Sequence, residues 1–309
     1  MVAMTDLLVV AHGKLQSGSA GRRWAAAEAR LRLIFGNRVE IRFTARRGDG
    51  TQVAREALLS GVRWLAAAGG DGTINETVNG FFAEDRNIRP DAALSLLPCG
   101  SSNDYARIFG IPTDLCLAAG ALQRSEIHTV DVGLARFLGI DGNHEQRVFV
   151  NVAEAGVGGA LVARQDGWLL RSRIRYRIAS LAAALSCKPF PLQLAVDGTA
   201  FAVPTPVLTL IVAGGRYFGN GMHCAPMARP DDGLLEVITV GDFGPAEIMA
   251  KIGTFFTGSY LKDSKVTHHT ARIIGAHCTE TVYLQLDGEM VGILPAEFAV
   301  LPASLHLRY

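Results

Sequence analysis

The sequence predicts two domains. The first is an open parallel α/β domain over residues 1–130. The second is a β-rich domain over 131–296, a sandwich of antiparallel sheets, and the last segment, 297–309, returns to the first domain. Three observations carry this. Two stretches, 62–80 and 92–108, each read as an apolar strand, a turn of small residues and a helix start. From His128 onward the texture changes to short strand-like runs separated by turn residues such as Asp141-Gly142 and Asp197-Gly198. And 309 residues, 49% hydrophobic, are enough for two cores and too apolar for disorder.

Composition narrows the function classes. A net charge of +1 gives no basic field that would call for nucleic acid. Cys99, Cys116, Cys187, Cys224 and Cys278 are scattered without a C-x-x-C pair, so a disulfide framework is not expected and a reducing, cytoplasmic compartment is. The opening MVAMTDLLVVAHGK reads as a first strand and not a signal peptide. No apolar run reaches the roughly 18–20 residues of a membrane span, so no transmembrane segment is expected. His223, His268, His269 and His277 lack a zinc-ligand spacing and read as structural or surface residues.

In chain order, Leu7–Ala11 is a short apolar strand, followed by His12-Gly13-Lys14, a loop through Ser17-Gly18, and a helix over Trp24–Ile34. Val39–Thr44 alternates as a second strand, and Gln52–Ser60 is helical. Val62–Ala68 is the third strand. Gly69, Gly70, Asp71, Gly72 and Thr73 follow, then a helix marked by Ile74, Val78 and Phe81, with Thr73 and Glu76 spaced as a capping box. Ala92–Leu97 is the next strand and runs into Cys99-Gly100-Ser101-Ser102-Asn103-Asp104 and a second helix start. Leu115–Gln123 is helical. The expected strands of the second domain are His128–Leu134, Arg147–Asn151, Leu192–Val196, Phe201–Val203, Val207–Ala213, Leu234–Thr239, Ala271–Ile274 and Val282–Leu286, interrupted by helices near Arg171–Leu185 and Pro245–Phe256. The four arginines Arg171, Arg173, Arg175 and Arg177 beside Trp168 and Leu170 fit either a solvated basic face or a segment touching anionic lipid.

The stretch 62–80 organises the chain. A strand, glycine turn and helix N-terminus suit a phosphate, because free backbone N–H groups and the helix dipole both favour an anion. Asp71 is the informative residue. A carboxylate repels phosphate unless a divalent cation or a transferable proton lies between them, which points to phosphoryl chemistry. The alternative is a tight turn in which Asp71 caps a backbone N–H. Ligands of open α/β sheets sit beyond the carboxyl ends of the strands, so the turns at 69–73 and 99–104 can face one site.

GGDGT followed by Asn75-Glu76 resembles the signature of the diacylglycerol kinase catalytic-domain family, which includes bacterial lipid kinases and sphingosine kinases and is related to the NAD kinases. PCGSSNDYARIFGIP is similar to that family's P-x-G-T-x-N-D-x-A-R, with Ser101 in the place of Thr. FVNVAEAGVGG, the run Ala225-Pro226 through Ala228 to Asp232-Gly233-Leu234, and Asp287-Gly288-Glu289 continue the resemblance over nearly the whole chain. The family's Asn-Pro turn after the first strand is here His12-Gly13.

The resemblance implies a Rossmann-like first domain of NAD kinase and diacylglycerol kinase type. It implies ATP held by Thr44, Gly69, Gly70, Asp71, Gly72, Thr73, Asn75, Glu76, Gly100, Ser101 and Asn103, with no Walker A lysine. Glu289 is implied as the general base and Asp71 as a partner that acts through Mg²⁺ or polarises the acceptor. A cation, Mg²⁺, is implied on Asp232 with the main-chain carbonyls of Arg229 and Leu234. The implied reaction is phosphorylation of a lipid hydroxyl, foremost that of diacylglycerol, in the cleft between the domains, by a protein peripheral at a membrane surface. Homo-oligomerisation is left open. Two rivals stand beside it: a kinase of soluble substrates of the NAD kinase type, and a nucleotide-binding protein without turnover.

Overall fold

The computed structural model describes residues 5–159, 182–201 and 206–309. They fall into two compact units, Met1–Val130 with Ala303–Tyr309, and Asp131–Pro302. The expected strand end at Val203 and most of the expected helix at 171–185, with its four arginines, lie outside the described residues; 182–186 is helical.

The first unit alternates strand and helix: β1 (Leu7–His12), α1 (Gly18–Phe35), β2 (Val39–Thr44), α2 (Asp49–Leu59), β3 (Trp64–Gly69) and α3 (Asp71–Phe81). A small hairpin of β4 (Phe82–Ala83) and β5 (Arg86–Asn87) leads to β6 (Ala93–Pro98), α4 (Asp104–Ile108) and α5 (Leu115–Ala121). The sheet is parallel, in the order β6-β3-β1-β2, with Gly69 beside Pro98 and His12 beside Thr44. Parallel strands covered on both faces become continuous apolar runs, and β1 shows it: Leu7 through Ala11 are all fully buried. Leu7, Val9 and Ala11 pack against Trp24, Ala27 and Leu31 of α1 and Leu115 and Ala118 of α5.

α1 begins six residues before the expected Trp24, because Gly18 to Arg23 carry no apolar period that would reveal a helix. The capping box at Thr73 and Glu76 is overturned. Gly70 is the N-cap, extended at φ −92° and ψ −171°, and Ile74 N–H already donates to Gly70 O at 3.1 Å. Thr73 and Glu76 therefore lie inside the helix with other work to do.

The second unit is antiparallel. β7 (Ile127–Leu138) enters it and pairs with β8 (His144–Phe149). Then come β9 (Val152–Gly156), β10 (Gln193–Val196), β11 (Thr199–Phe201), β12 (Val207–Ala213), and the two-residue strands β13 (Tyr217–Phe218) and β14 (Met222–His223). β15 (Leu235–Gly241) is followed by α6 (Pro245–Lys251) and α7 (Thr254–Thr257); Gly253 falls between them and divides the single helix expected over Pro245–Phe256. The last strands are β16 (Val266–Ala271), β17 (Ile273–His277), β18 (Tyr283–Leu286) and β19 (Glu289–Arg308). The expected strand Ala271–Ile274 is thus a boundary between two strands. Asp197 Oδ1 accepts both the Arg272 and Ile273 N–H at 2.9 Å and turns the chain there.

Strands run in the order β16-β15-β12-β9-β18-β19, and β17, β10 and β11 continue from β19. β12 and β15 are buried along their whole length. One face packs on a core that includes Phe149, Leu210, Val237, Leu284 and Phe298, and the other on Tyr260, Phe243 and Ile248. Twenty residues long, β19 serves both units. Gly275 pairs with Glu297 in the second, while His306 and Leu307 pair with Ala93 and Leu94 of β6 in the first. The return to the first unit starts at Ala303, because Ala296–Ala299 are committed to β17.

Candidate active site

In the first unit the carboxyl ends of β1, β2, β3 and β6 share one edge, since all four strands are parallel. Thr44, Gly69 and Gly70, and Gly100 lie along it. The two glycine turns touch. A Cβ on Gly100 would sit 2.4 Å from the Gly70 Cα, and one on Gly69 would sit 2.2 Å from Thr73 Oγ1. Only glycine allows these backbones to approach so closely. Cys99 N–H donates to Gly69 O at 2.9 Å and ties the second turn to the first.

Asp71 opens α3, yet its carboxylate serves the neighbouring turn: Oδ1 accepts the Tyr105 N–H at 3.1 Å, inside the first turn of α4. Burial pushes this carboxyl above the usual range, and backbone amides from Tyr105, Asp104, Asp71 and Asn103 pull it back. The capping role offered as an alternative is therefore real, but it acts across the two turns. Asn103, in the left-handed region at φ 54°, closes its own turn: Oδ1 accepts the Gly100 N–H at 2.8 Å and Nδ2 donates to Gly100 O at 3.1 Å. Ser101 is exposed beside it, while Thr73 is buried beneath Gly69.

Asn75 and Glu76 do scaffold work. Asn75 is fully buried and accepts from Asn79 Nδ2 at 3.1 Å. Glu76 accepts the N–H groups of Gly48 at 2.8 Å and Gly50 at 2.9 Å, and so fixes the loop between β2 and α2. His12 caps the turn after β1, its Nδ1 accepting the Lys14 N–H at 3.1 Å. That bond puts the proton of the neutral ring on Nε2. Burial and Lys14 push its pKa down, against Glu76.

In the second unit the Asp287-Gly288 turn has positive φ at both positions, 49° and 87°, which is the type I′ pattern of a two-residue hairpin. Asp287 does more than turn. Its carboxylate accepts three N–H groups, from Val150 at 2.8 Å and from Asn151 and Val152 at 2.9 Å. Both oxygens are thereby committed to backbone, which suits Asp287 poorly to proton transfer. Glu289, half-buried, makes an ion pair with Arg147 at 2.7 Å. Sequence reasoning missed Arg147, because nothing in its own neighbourhood marks it.

Asp232 is exposed, and its Oδ1 accepts the Leu234 N–H at 3.1 Å. Burial, Asp131 and Glu236 raise its pKa, against the Leu234 bond and Arg229. Asp131 shapes the turn: its N–H donates to Pro230 O and its Oδ2 accepts the Gly233 N–H, each at 2.7 Å. An exposed carboxylate in an acidic field is the kind of oxygen donor that fits a hard cation. Among the described residues no three His, Cys, Asp or Glu side chains converge on a metal position. His268 Nε2 pairs with Glu236, and the His223 ring stacks on Tyr217 at 4.6 Å.

A cavity in the second unit was not foreseen. It is lined by apolar groups, among them Leu208, Ile211, Phe243, Ile248 and Phe255, with Glu154 and Thr209 as its polar wall. Glu154 is 2% exposed and accepts from Thr209 Oγ1 and from the N–H groups of Gly158 and Gly159 at 2.8 Å. Burial pushes its carboxyl up to about 7.

Comparison with known proteins settles the family. Residues 6–135 match the diacylglycerol kinase catalytic domain, and residues 151–309 match the YegS C-terminal NAD kinase beta sandwich-like domain. A diacylglycerol kinase of Bacillus subtilis strain 168 is 30% identical over 262 residues, covering 84% of this chain and 82% of its own. The chain belongs to the diacylglycerol kinase catalytic-domain family. A second relative, "Probable lipid kinase YegS-like" of Pseudomonas aeruginosa strain UCBPP-PA14, is 29% identical over 307 residues, 98% of this chain and 93% of that one. The fold of the family is shared by a crystal structure of a diacylglycerol kinase from Bacillus anthracis str. Sterne, with a TM-score of 0.72 at 22% identity, covering 100% of this chain and 98% of that one. The α/β and β-sandwich organisation expected from the sequence is thus the family's own.

Proposed function

We propose that the protein is an ATP-dependent lipid kinase that phosphorylates the hydroxyl of a lipid, foremost diacylglycerol. The observation that carries this is the pair of touching glycine turns at the carboxyl edge of a parallel sheet, with Asp71 reaching from one to the other. Backbone N–H groups of Gly69–Gly72, with Ser101 and Thr44, hold the phosphates of ATP, a task that helix N-termini and glycine turns perform without a lysine. Relatives bearing the names diacylglycerol kinase and lipid kinase support the choice of reaction. The apolar cavity of the second unit supports the choice of acceptor, since an aliphatic chain loses its contact with water there.

The acceptor oxygen attacks the γ-phosphorus. Its new O–P bond forms as the bond to the β,γ-bridging oxygen breaks, ADP leaves, and the hydroxyl proton passes to the Glu289 carboxylate. Mg²⁺ bound at Asp232 with the carbonyls of Arg229 and Leu234 would supply positive charge against the acidic field of Asp131 and Glu236. Asp71 orients groups at the phosphate turn. In this reading the lipid is met at a membrane surface; among the described residues no helix is long and apolar enough to cross a membrane.

The test is to incubate the protein with labelled ATP, Mg²⁺ and a mixed lipid extract, with NAD in a parallel reaction, and to identify the labelled product. A labelled phospholipid is expected. Label in NADP alone would replace the lipid reading with the soluble-substrate one, and ATP binding without any labelled product would leave a nucleotide-binding protein.

A further inference from the structure

Arg147 is on β8 and Glu289 starts β19, far apart in sequence, yet their side chains meet at 2.7 Å with side-chain exposures of 23% and 16%. The meeting has an identifiable cause. Asp287 N–H donates to Val152 O at 2.9 Å, and its carboxylate takes the N–H groups of Val150, Asn151 and Val152. These four bonds dock the corner between β8 and β9 onto the hairpin turn of β18 and β19. The corner is pinned three residues after Arg147, and the turn is pinned two residues before Glu289. The two backbones that carry the pair are therefore held together close to it. Leu286 opposite Glu289 and Ala153 opposite Leu286 hold the same register from the other side.

We propose that Arg147 is a positioning residue for Glu289, and that Asp287 is the clamp that sets the two in register. The proposal rests on the reading of Glu289 as the proton acceptor. A carboxylate on a flexible stem samples several rotamers, and only some aim an oxygen at the acceptor hydroxyl. A guanidinium bonded to the carboxylate restricts that choice. Arg147 does not touch the phosphorus or the leaving group in this scheme; it acts through Glu289.

The experiment compares Arg147→Ala and Arg147→Lys with the parent in single-turnover transfer from bound ATP to diacylglycerol in mixed vesicles. ATP affinity and the lipid KM are measured alongside. Arg147→Ala is expected to slow transfer about 10-fold to 10²-fold, the scale of a misplaced catalytic group, with ATP affinity and lipid KM within about twofold. Arg147→Lys, which keeps the charge and should fold where Ala does not, is expected to recover part of the rate. Added ethylguanidinium is expected to restore Arg147→Ala in a saturable way and to do nothing for Glu289→Gln. A merely structural cross-link would give a lower Tm with no response to guanidinium, and that result overturns the proposal. A rise in lipid KM at unchanged rate overturns it too, by placing Arg147 on the acceptor. If Arg147→Ala transfers at the parent rate while Glu289→Gln is slow, only the proposal falls; if Glu289→Gln is as fast as the parent, the reading of Glu289 as base falls with it.

Discussion

The carboxyl edge of the first sheet and the hairpin corner of the second unit both contain an Asp-Gly pair, and they use it in opposite ways. At Asp71-Gly72 the pair starts a helix; the useful groups are backbone amides of consecutive residues, and the aspartate reaches the adjacent helix start. At Asp287-Gly288 the pair makes a type I′ turn, and the aspartate gathers amides that lie as far as 137 positions away in the chain. The first brings two main-chain turns together through the Asp71 carboxylate. The second is assembled by bonds between segments far more distant in the chain. The first should therefore answer to changes in backbone shape and the second to changes in charge at fixed shape.

The largest effect expected is on the second site. Glu289→Gln keeps the size and removes the proton acceptor, so kcat should fall by about 10²–10⁴-fold, with ATP affinity within a few fold. Next is Asp71→Asn. Lost electrostatic organisation at the phosphate turn should cost about 10²-fold in turnover, while circular dichroism and Tm stay close to the parent because the amide still accepts the Tyr105 N–H. Near-normal turnover would reduce Asp71 to a helix cap. Gly100→Ala tests the touching turns. Its Cβ would meet the Gly70 backbone, which cannot swing aside like a side chain, so overpacking of about 1–3 kcal/mol is expected, read as weaker ATP binding in a folded protein. Unchanged affinity would place the nucleotide elsewhere.

The smallest effect on catalysis concerns Glu154. Its folded pKa, about 7, is raised above the ordinary value of 4.5 by burial. The folded state therefore holds a proton that the unfolded state has released, and stability is fully present below the unfolded pKa and lost as pH rises from about 4.5 through 7. The span is on the order of 3 kcal/mol. The parent Tm should fall across that window, and Glu154→Gln should flatten the fall. A parent Tm that rises over the same window would contradict this account of the buried acid.

How far the sequence could be read follows the same division. The strands of the first unit were legible because parallel strands covered on both faces leave uninterrupted apolar runs, as Leu7–Ala11 and Ala93–Leu97 do. Gly69, Gly70 and Gly100 were marked in the sequence by their turns, and what the structure adds is that the two turns press against each other. Thr73 and Glu76 misled: their spacing matches a capping box, but the extended Gly70 begins the helix earlier, and Glu76 is needed to hold the Gly48–Gly50 loop. The helix from Gly18 was hidden by an amphipathic pattern too weak in its first turn. Arg147, the committed carboxylate of Asp287 and the cavity wall at Glu154 were illegible for a different reason. Each exists only once strands distant in sequence have been brought into register, and no local period records that.

The most direct measurement of the contrast is the single-turnover rate of phosphate transfer as a function of ATP concentration, for the parent, Gly70→Val and Glu289→Gln. One curve per protein yields both the ATP dissociation constant and the limiting rate. The account predicts that Gly70→Val moves the dissociation constant, because a branched side chain blocks the approach of backbone to phosphate, and that Glu289→Gln moves the limiting rate alone. Glu289→Gln transferring as fast as the parent, or a folded Gly70→Val binding ATP as tightly as the parent, would contradict it.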